Sequence, residues 1–316
     1  MVDDSLASST VSAETPSAAS GVKPGRARYS ALQSERESAG LGIWRRFMRN
    51  RLAVGAAVVL LIICGTALVA PIIIDRERIL EQERLQTFAS PSADAWFGRD
   101  ELGRDAFARA VYGARISLTV GLVSALISTV IGVVLGMMAG YLGGWVDAVT
   151  DRFAELILTI PFLLLLILAA AVMRPSVFSI ILILGLFDWA VLTRLVRGEF
   201  LSMRHREFVE AARASGCTSA RIVTRHMLPN AVAPIIVSAT LLVAVHITAE
   251  AVISFLGLGI QPPTPSWGNM LTEAQRYIVS APFLAIFPGL LILVTVLCIN
   301  LLGDGLRDAF DPRQKR

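Results

Sequence analysis

The chain has 316 residues, 54% of them hydrophobic and only 17% charged, where an ordinary soluble domain carries about 25% charged residues. With a mean hydropathy of +0.64, a water-soluble globule is excluded and a membrane protein is expected. Lys and Arg number 29 against 25 Asp and Glu, a net charge of +4, yet only two of the basic residues are lysines, Lys23 and Lys315.

Residues 1–40 carry nine Ser and seven Ala and no apolar stretch, so they read as a disordered cytoplasmic tail rather than a secretory signal. A bilayer core about 30 Å thick needs about 20 apolar helical residues. Six runs of that kind follow, at about Leu52–Ile74, Ile116–Gly140, Phe153–Met173, Ser176–Val196, Val232–Leu256 and Pro282–Leu302. The expected fold is an all-α integral membrane protein with six transmembrane helices. Its parts are an N-terminal region over 41–115, a five-span core over 116–303 with a cytoplasmic loop at 198–230, and a C-terminal tail over 304–316. Only Arg174 and Pro175 separate the third and fourth runs, which predicts an antiparallel hairpin.

Assigned to alternate sides, 20 of the 29 basic residues fall on the side that holds both termini and 9 on the other. The positive-inside rule then places both termini in the cytoplasm of a multi-pass protein of the cytoplasmic membrane. In the first external loop, Gly103 to Ala114 alternates small apolar residues with Arg104, Asp105 and Arg109, the pattern of an amphipathic helix lying along the interface. In the second sizeable external segment, Pro262, Pro263 and Pro265 predict an extended turn, and Trp267 an interfacial anchor.

The basic loop between the fourth and fifth spans is polar and punctuated. Phe208 to Ser215 favours helix, Gly216 supplies a positive φ, Thr218 or Ser219 can cap a second helix, and Pro229 limits it. Two short helices meeting at a glycine make a compact knob on the cytoplasmic side. Three ionisable residues fall inside spans, where each is costly and invites a reason. Asp188 stands near the middle of the fourth; His246 and Glu250 share one face of the fifth at i, i+4. They line a polar translocation path or hydrogen-bond helices together, and the residues alone leave both readings open. Glu155 reads as an interfacial charge.

Cys64, Cys217 and Cys298 lie far apart with no Cys-x-x-Cys spacing, so neither a disulfide framework nor a zinc site is indicated. Neither lysine stands in a glycine loop ending in Gly-Lys-Ser/Thr, which excludes ATP hydrolysis by that chemistry. No catalytic constellation stands out, and the chain is not expected to be an enzyme.

Glu210-Ala211-Ala212 with Gly216, Ile222, His226 and Leu228-Pro229 resembles the EAA loop of ABC importer permeases. The resemblance extends to Phe97-Gly98, Asp100 to Asp105, Tyr112 to Arg115, Arg194 to Gly198 and Ser254 to Pro263, which are similar to the C-type permease of dipeptide and oligopeptide importers over about residues 40 to 312. It departs at Arg99, where that family often has a small polar residue, and near Asp188, where a glycine or proline is common. The resemblance implies a type I ABC importer permease fold and import of dipeptides or oligopeptides by alternating access. Glu207, Glu210, Ala211, Ala212, Gly216, Ile222, His226, Leu228 and Pro229 would form the coupling surface. It implies as partners a second, related permease, two ATP-binding subunits that hold ATP and Mg, an external peptide-binding protein and the lipid bilayer. This chain would hold no cofactor and bind no nucleic acid. Permeases for nickel, glutathione or opines share the pattern. Outside the class, a proton-coupled secondary transporter using Asp188, His246 and Glu250 as a relay is the rival, and a membrane assembly factor without transport is a further one.

Overall fold

The computed structural model describes residues 42–74 and 79–311. The expected tail over 1–40 lies outside the described residues, as do the last five positions. The compact unit treated below begins at Arg46.

Among the described residues, the ten helices named below carry the architecture. Helix α1 is Arg51–Ile73, opened by the Asn50 side chain accepting the Ala53 N–H. Helix α2, Ala106–Leu142, is capped by Asp105, whose carboxylate accepts the Phe107 and Ala108 N–H groups. Next come α3 (Gly144–Thr159), α4 (Phe162–Val172), α5 (Val177–Phe187) and α6 (Ala190–Met203). They are followed by α7 (Glu207–Ala214), α8 (Leu228–Phe255), α9 (Trp267–Gln275) and α10 (Phe283–Phe310). α10 therefore continues past the expected end of the core at residue 303 and absorbs much of the predicted tail.

Among the described residues, five helical segments are long and apolar enough to cross a membrane, α5 with α6 counting as one, and α3 with α4 makes a sixth if that bent pair is one span. The third span is not straight: α3 and α4 meet at 86°. Pro161 has no N–H and pushes Ile160 into the extended region, φ −84° and ψ 127°, so the helix cannot run through it. The break in the fourth span, at Asp188 and Trp189, leaves α5 and α6 roughly in line.

α2 is the spine. Its 37 residues span about 55 Å at about 1.5 Å each, well beyond the hydrocarbon. Gly132, Gly136 and Gly140 let α6 lie directly on it; a Cβ at Gly136 would stand 2.7 Å from the Val196 Cβ. Among the described residues, the three largest apolar clusters form around this spine. Ala67, Ala114, Leu118, Ala244, Ile247, Trp267 and Ile299 join α1, α2, α8, α9 and α10. Leu166 and Ala170 of α4 close on Ile180, Ile183 and Leu184 of α5, with Ile253 of α8, as the predicted hairpin requires. The third cluster underlies the knob.

Candidate functional site

The knob is built as the glycine and the apolar spacing dictate. Helix α7 ends in a Schellman turn: the Cys217 N–H donates to the Ala212 carbonyl at 3.1 Å and the Gly216 N–H to Arg213 at 3.0 Å. Gly216 adopts φ +75°, and a Cβ there would meet nothing within 4 Å, so backbone conformation and not space demands glycine.

After Thr218, a turn of α-helix over Ser219–Arg221 opens into a π-helical stretch, Ile222–Met227, which passes directly into α8. Pro229 does not stop this helix, as the sequence reading expected. It has no N–H to give to the carbonyl four residues back, and the wider i→i+5 turns just before it take up the misfit. The Asn230 side chain donates to the His226 carbonyl at 2.6 Å.

One face of the knob is an anchor. Val209, Ala212, Ile222 and Met227 are buried with Leu192, Val196, Phe200 and Met203 of α6 and Ala231 and Ile235 of α8. This divides the predicted coupling residues. Glu207, Glu210, Ala211, Gly216 and Pro229 are exposed, His226 and Leu228 half-buried, and Ala212 and Ile222 buried against the chain's own core. The last two therefore fix the knob and do not present a surface. Beside it, Arg197 of α6 pairs bidentately with Asp147 of α3, through Nε and, at 2.9 Å, through Nη2.

The ionisable residues of the spans form two buried centres. His246 is fully buried, its Nδ1 2.7 Å from the Ser124 Oγ and its Nε2 3.1 Å from Asp188 Oδ2. Asp188 sits where α5 ends, and Ser128 of α2 covers the Leu184 and Gly185 carbonyls there, donating at 3.2 and 2.9 Å. Glu250, 0% exposed, accepts from Ser117 at 2.9 Å and Ser254 at 2.8 Å. Ser117 in turn accepts the Trp267 N–H at 3.3 Å. His246 and Glu250 thus line no open surface in this conformation; they fasten α8 to α2 and to the α5 terminus. Of the three candidate path residues only Asp188, its side chain 14% exposed, keeps an open edge. Ser117, Ser124 and Ser128 escaped the sequence reading, although their spacing of seven and four marks a polar stripe on one face of an apolar helix.

At the end of the molecule away from the knob, Asp100, Arg104, Arg109 and Glu273 form a buried ionic cluster. Arg104 Nε reaches Asp100 at 2.6 Å and its Nη2 reaches Glu273 at 3.2 Å. Arg109, 1% exposed, donates to Glu273 at 2.8 Å and stands 3.5 Å from Asp100. Burial pushes the Glu273 carboxyl above its ordinary range, against the pull of Arg109 and Arg104. Gly103 to Ala114 is therefore no separate interfacial helix: from Ala106 it is the first turns of α2, with Arg109 turned inward. Trp267 is likewise no interfacial anchor but fully buried, its indole donating to the Ala110 carbonyl at 3.0 Å. Among the described residues no group of three His, Cys, Asp or Glu is placed to hold a metal ion.

Comparison with known proteins places this arrangement. Residues 132–316 match the family described as binding-protein-dependent transport system inner membrane component. Residues 39–91 match the N-terminal transmembrane domain of oligopeptide transport permease C. The dipeptide transport system permease protein DppC of Alkalihalophilus pseudofirmus is 38% identical over 292 residues, 92% of this chain and 94% of that one. The glutathione transport system permease protein GsiD of Escherichia coli O1:K1 is 42% identical over 274 residues, 86% of this chain and 90% of that one. Among solved structures, a chain of the inward-facing MetNI methionine ABC transporter superposes with a TM-score of 0.53 at 21% identity, covering 65% of this chain and 98% of its own; that likeness concerns the fold.

Proposed function

The chain belongs to the binding-protein-dependent transport system inner membrane component family, and from that premise we propose that it is the permease subunit through which an ATP-driven importer takes dipeptides or oligopeptides into the cytoplasm. The observation that carries the coupling role is the two-faced knob. Its inner face is packed into α6 and α8, and its outer face offers Glu207, Glu210 and Ala211. A groove on an ATPase subunit that grips the outer face moves α7, and the helix from Ser219 to Phe255 carries the displacement to His246 and Glu250 without a loop to absorb it.

The excess of Arg near the knob supports a cytoplasmic position for that end. The Arg46 guanidinium donates to the Asp311 carbonyl at 3.1 Å, which supports six spans with both termini on one side. One knob engages one groove, so a complex with two ATPase subunits requires a second, related permease as well as an external binding protein. We assign Asp188 to the translocation path because it alone of the three ionisable residues keeps an open edge, which suits a peptide's cationic amine.

A second cargo is favoured by a specific observation, the 42% identity to a glutathione permease; glutathione is itself a short peptide. Proteoliposomes holding both permeases and the ATPases, given binding protein and labelled dipeptide or glutathione, test the reading. ATP-dependent uptake is expected with the proton gradient collapsed, and uptake that follows the gradient and ignores ATP overturns it. Gly216→Pro should abolish both uptake and substrate-stimulated ATPase activity, whereas Asp188→Asn should impair uptake with assembly intact.

A further inference from the structure

Away from the knob, α1 meets the start of α2 through Ala70, Ile74 and Ala108. A cavity of about 650 Å³ opens beside that contact, lined by Gly65, Thr66 and Val69 of α1 and by Phe107 and Val111 of α2. Its rim carries Asp94, Asp105 and Trp96. The α1 wall belongs to a spanning helix, which sets this opening at bilayer depth. Trp96, 64% exposed and packed on Phe107 with ring centroids 4.9 Å apart, marks the headgroup level, where aromatic side chains concentrate.

One exposed carboxylate stands at that level: Asp105 is buried and engaged in capping α2, whereas Asp94 is exposed and, among the described residues, has no hydrogen-bond or ion-pair partner. A site with an apolar trough and acidic rim complements an acyl chain below a cationic headgroup and repels a lipid whose exposed charge is phosphate alone.

We propose that this cavity is a binding site for a phospholipid bearing a primary amine, with its ammonium on Asp94 and one acyl chain along Gly65 and Val69. The site is independent of the cargo and of the coupling role. A Cβ at Gly65 would meet nothing within 4 Å, so the trough is open at that position.

The test uses the purified importer complex in nanodiscs made with equal parts of phosphatidylethanolamine and phosphatidylglycerol, moved to detergent and analysed for retained lipid by native mass spectrometry. Wild type should retain phosphatidylethanolamine with a preference of about fivefold, the size of one partly exposed ion pair. Asp94→Asn should remove the preference but keep the lipid, and Gly65→Leu, which places a bulky side chain in the trough, should remove the lipid. Equal retention of both lipids by wild type, or unchanged retention in Gly65→Leu, overturns the proposal. So does a photoreactive residue at Val69 that captures the second permease chain instead of lipid, since the cavity would then be a subunit interface. Uptake assays do not enter this test, so its failure leaves the transport reading standing.

Discussion

The two ends of the molecule are held by opposite chemistry. At the knob, Val209, Ala212, Ile222 and Met227 meet Phe200 and Met203 through apolar contact that has no preferred direction. At the far end, Asp100, Arg104, Arg109 and Glu273 meet through directed ion pairs in a largely buried site, where each charge depends on its partners. An apolar seat lets a rigid element tilt by small steps without losing its attachment. An ionic cluster fixes one register and makes any other expensive. The difference suits a device pushed at one end by a partner and required to hold a fixed arrangement at the other.

The sharpest way to break this contrast is to remove one member of the ionic cluster. Arg109→Ala leaves Asp100 and Glu273 buried with half their compensation, a loss of about 3–5 kcal/mol. The expected result is a collapse of folded protein in the membrane, read by detergent-resistant yield. Arg109→Lys should be nearly as damaging, since one ammonium cannot reach both carboxylates as Nε and Nη2 do. If Lys proves silent, the cluster is not the directed contact described.

The knob should respond differently. Ile222→Ala opens a cavity under it at about 2–5 kcal/mol, while Ile222→Leu, which conserves volume, should cost under about 1.5 kcal/mol. The check is ATPase stimulation by loaded binding protein, expected to fall in the alanine variant and persist in the leucine one. Equal failure of both would mean that Ile222 touches the partner directly. Gly216→Ala comes next, at about 1–2 kcal/mol, because alanine is strained at φ +75° though nothing crowds it. A modest fall in coupling is expected, smaller than for the proline variant.

How much of this was legible follows from where the partners lie. The spans show in the sequence because a charge-free run of about 20 residues is a local property. The knob shows because Gly216 and the helix-favouring run from Phe208 to Ser215 are local too. The inward turn of Arg109 does not, because its partner Glu273 is 164 residues away; with Asp105 and Arg109 alone in view, an interfacial helix was the reasonable expectation. His246 and Asp188 are 58 residues apart and their pairing is equally invisible to local pattern. Pro161 and Pro229 look alike in sequence, yet one bends a helix by 86° and the other is absorbed by a π-helical stretch. What separates them is packing around each proline, since Met227 and Ala231, on either side of Pro229, are held in the knob cluster while Ile160 and Pro161 are exposed.

The smallest expected effect concerns pH and belongs to the ionic end alone. Burial raises the Glu273 carboxyl above its ordinary value, with Asp100 and Glu101 adding to the rise and Arg109 and Arg104 opposing it. The folded state therefore holds that proton more tightly than the unfolded chain does. Between the ordinary value and the raised one, the folded state binds more protons, so this group's contribution makes stability fall as pH rises and recover as pH is lowered. That is opposite in sign to a carboxylate stabilised by its ion pairs. Thermal midpoints of the purified complex from pH 5 to pH 8 should show a component of this sign that disappears in Glu273→Gln. A component of the opposite sign would mean that Arg104 and Arg109 outweigh desolvation, and the far end would then be held by net attraction rather than by the mutual dependence of buried charges.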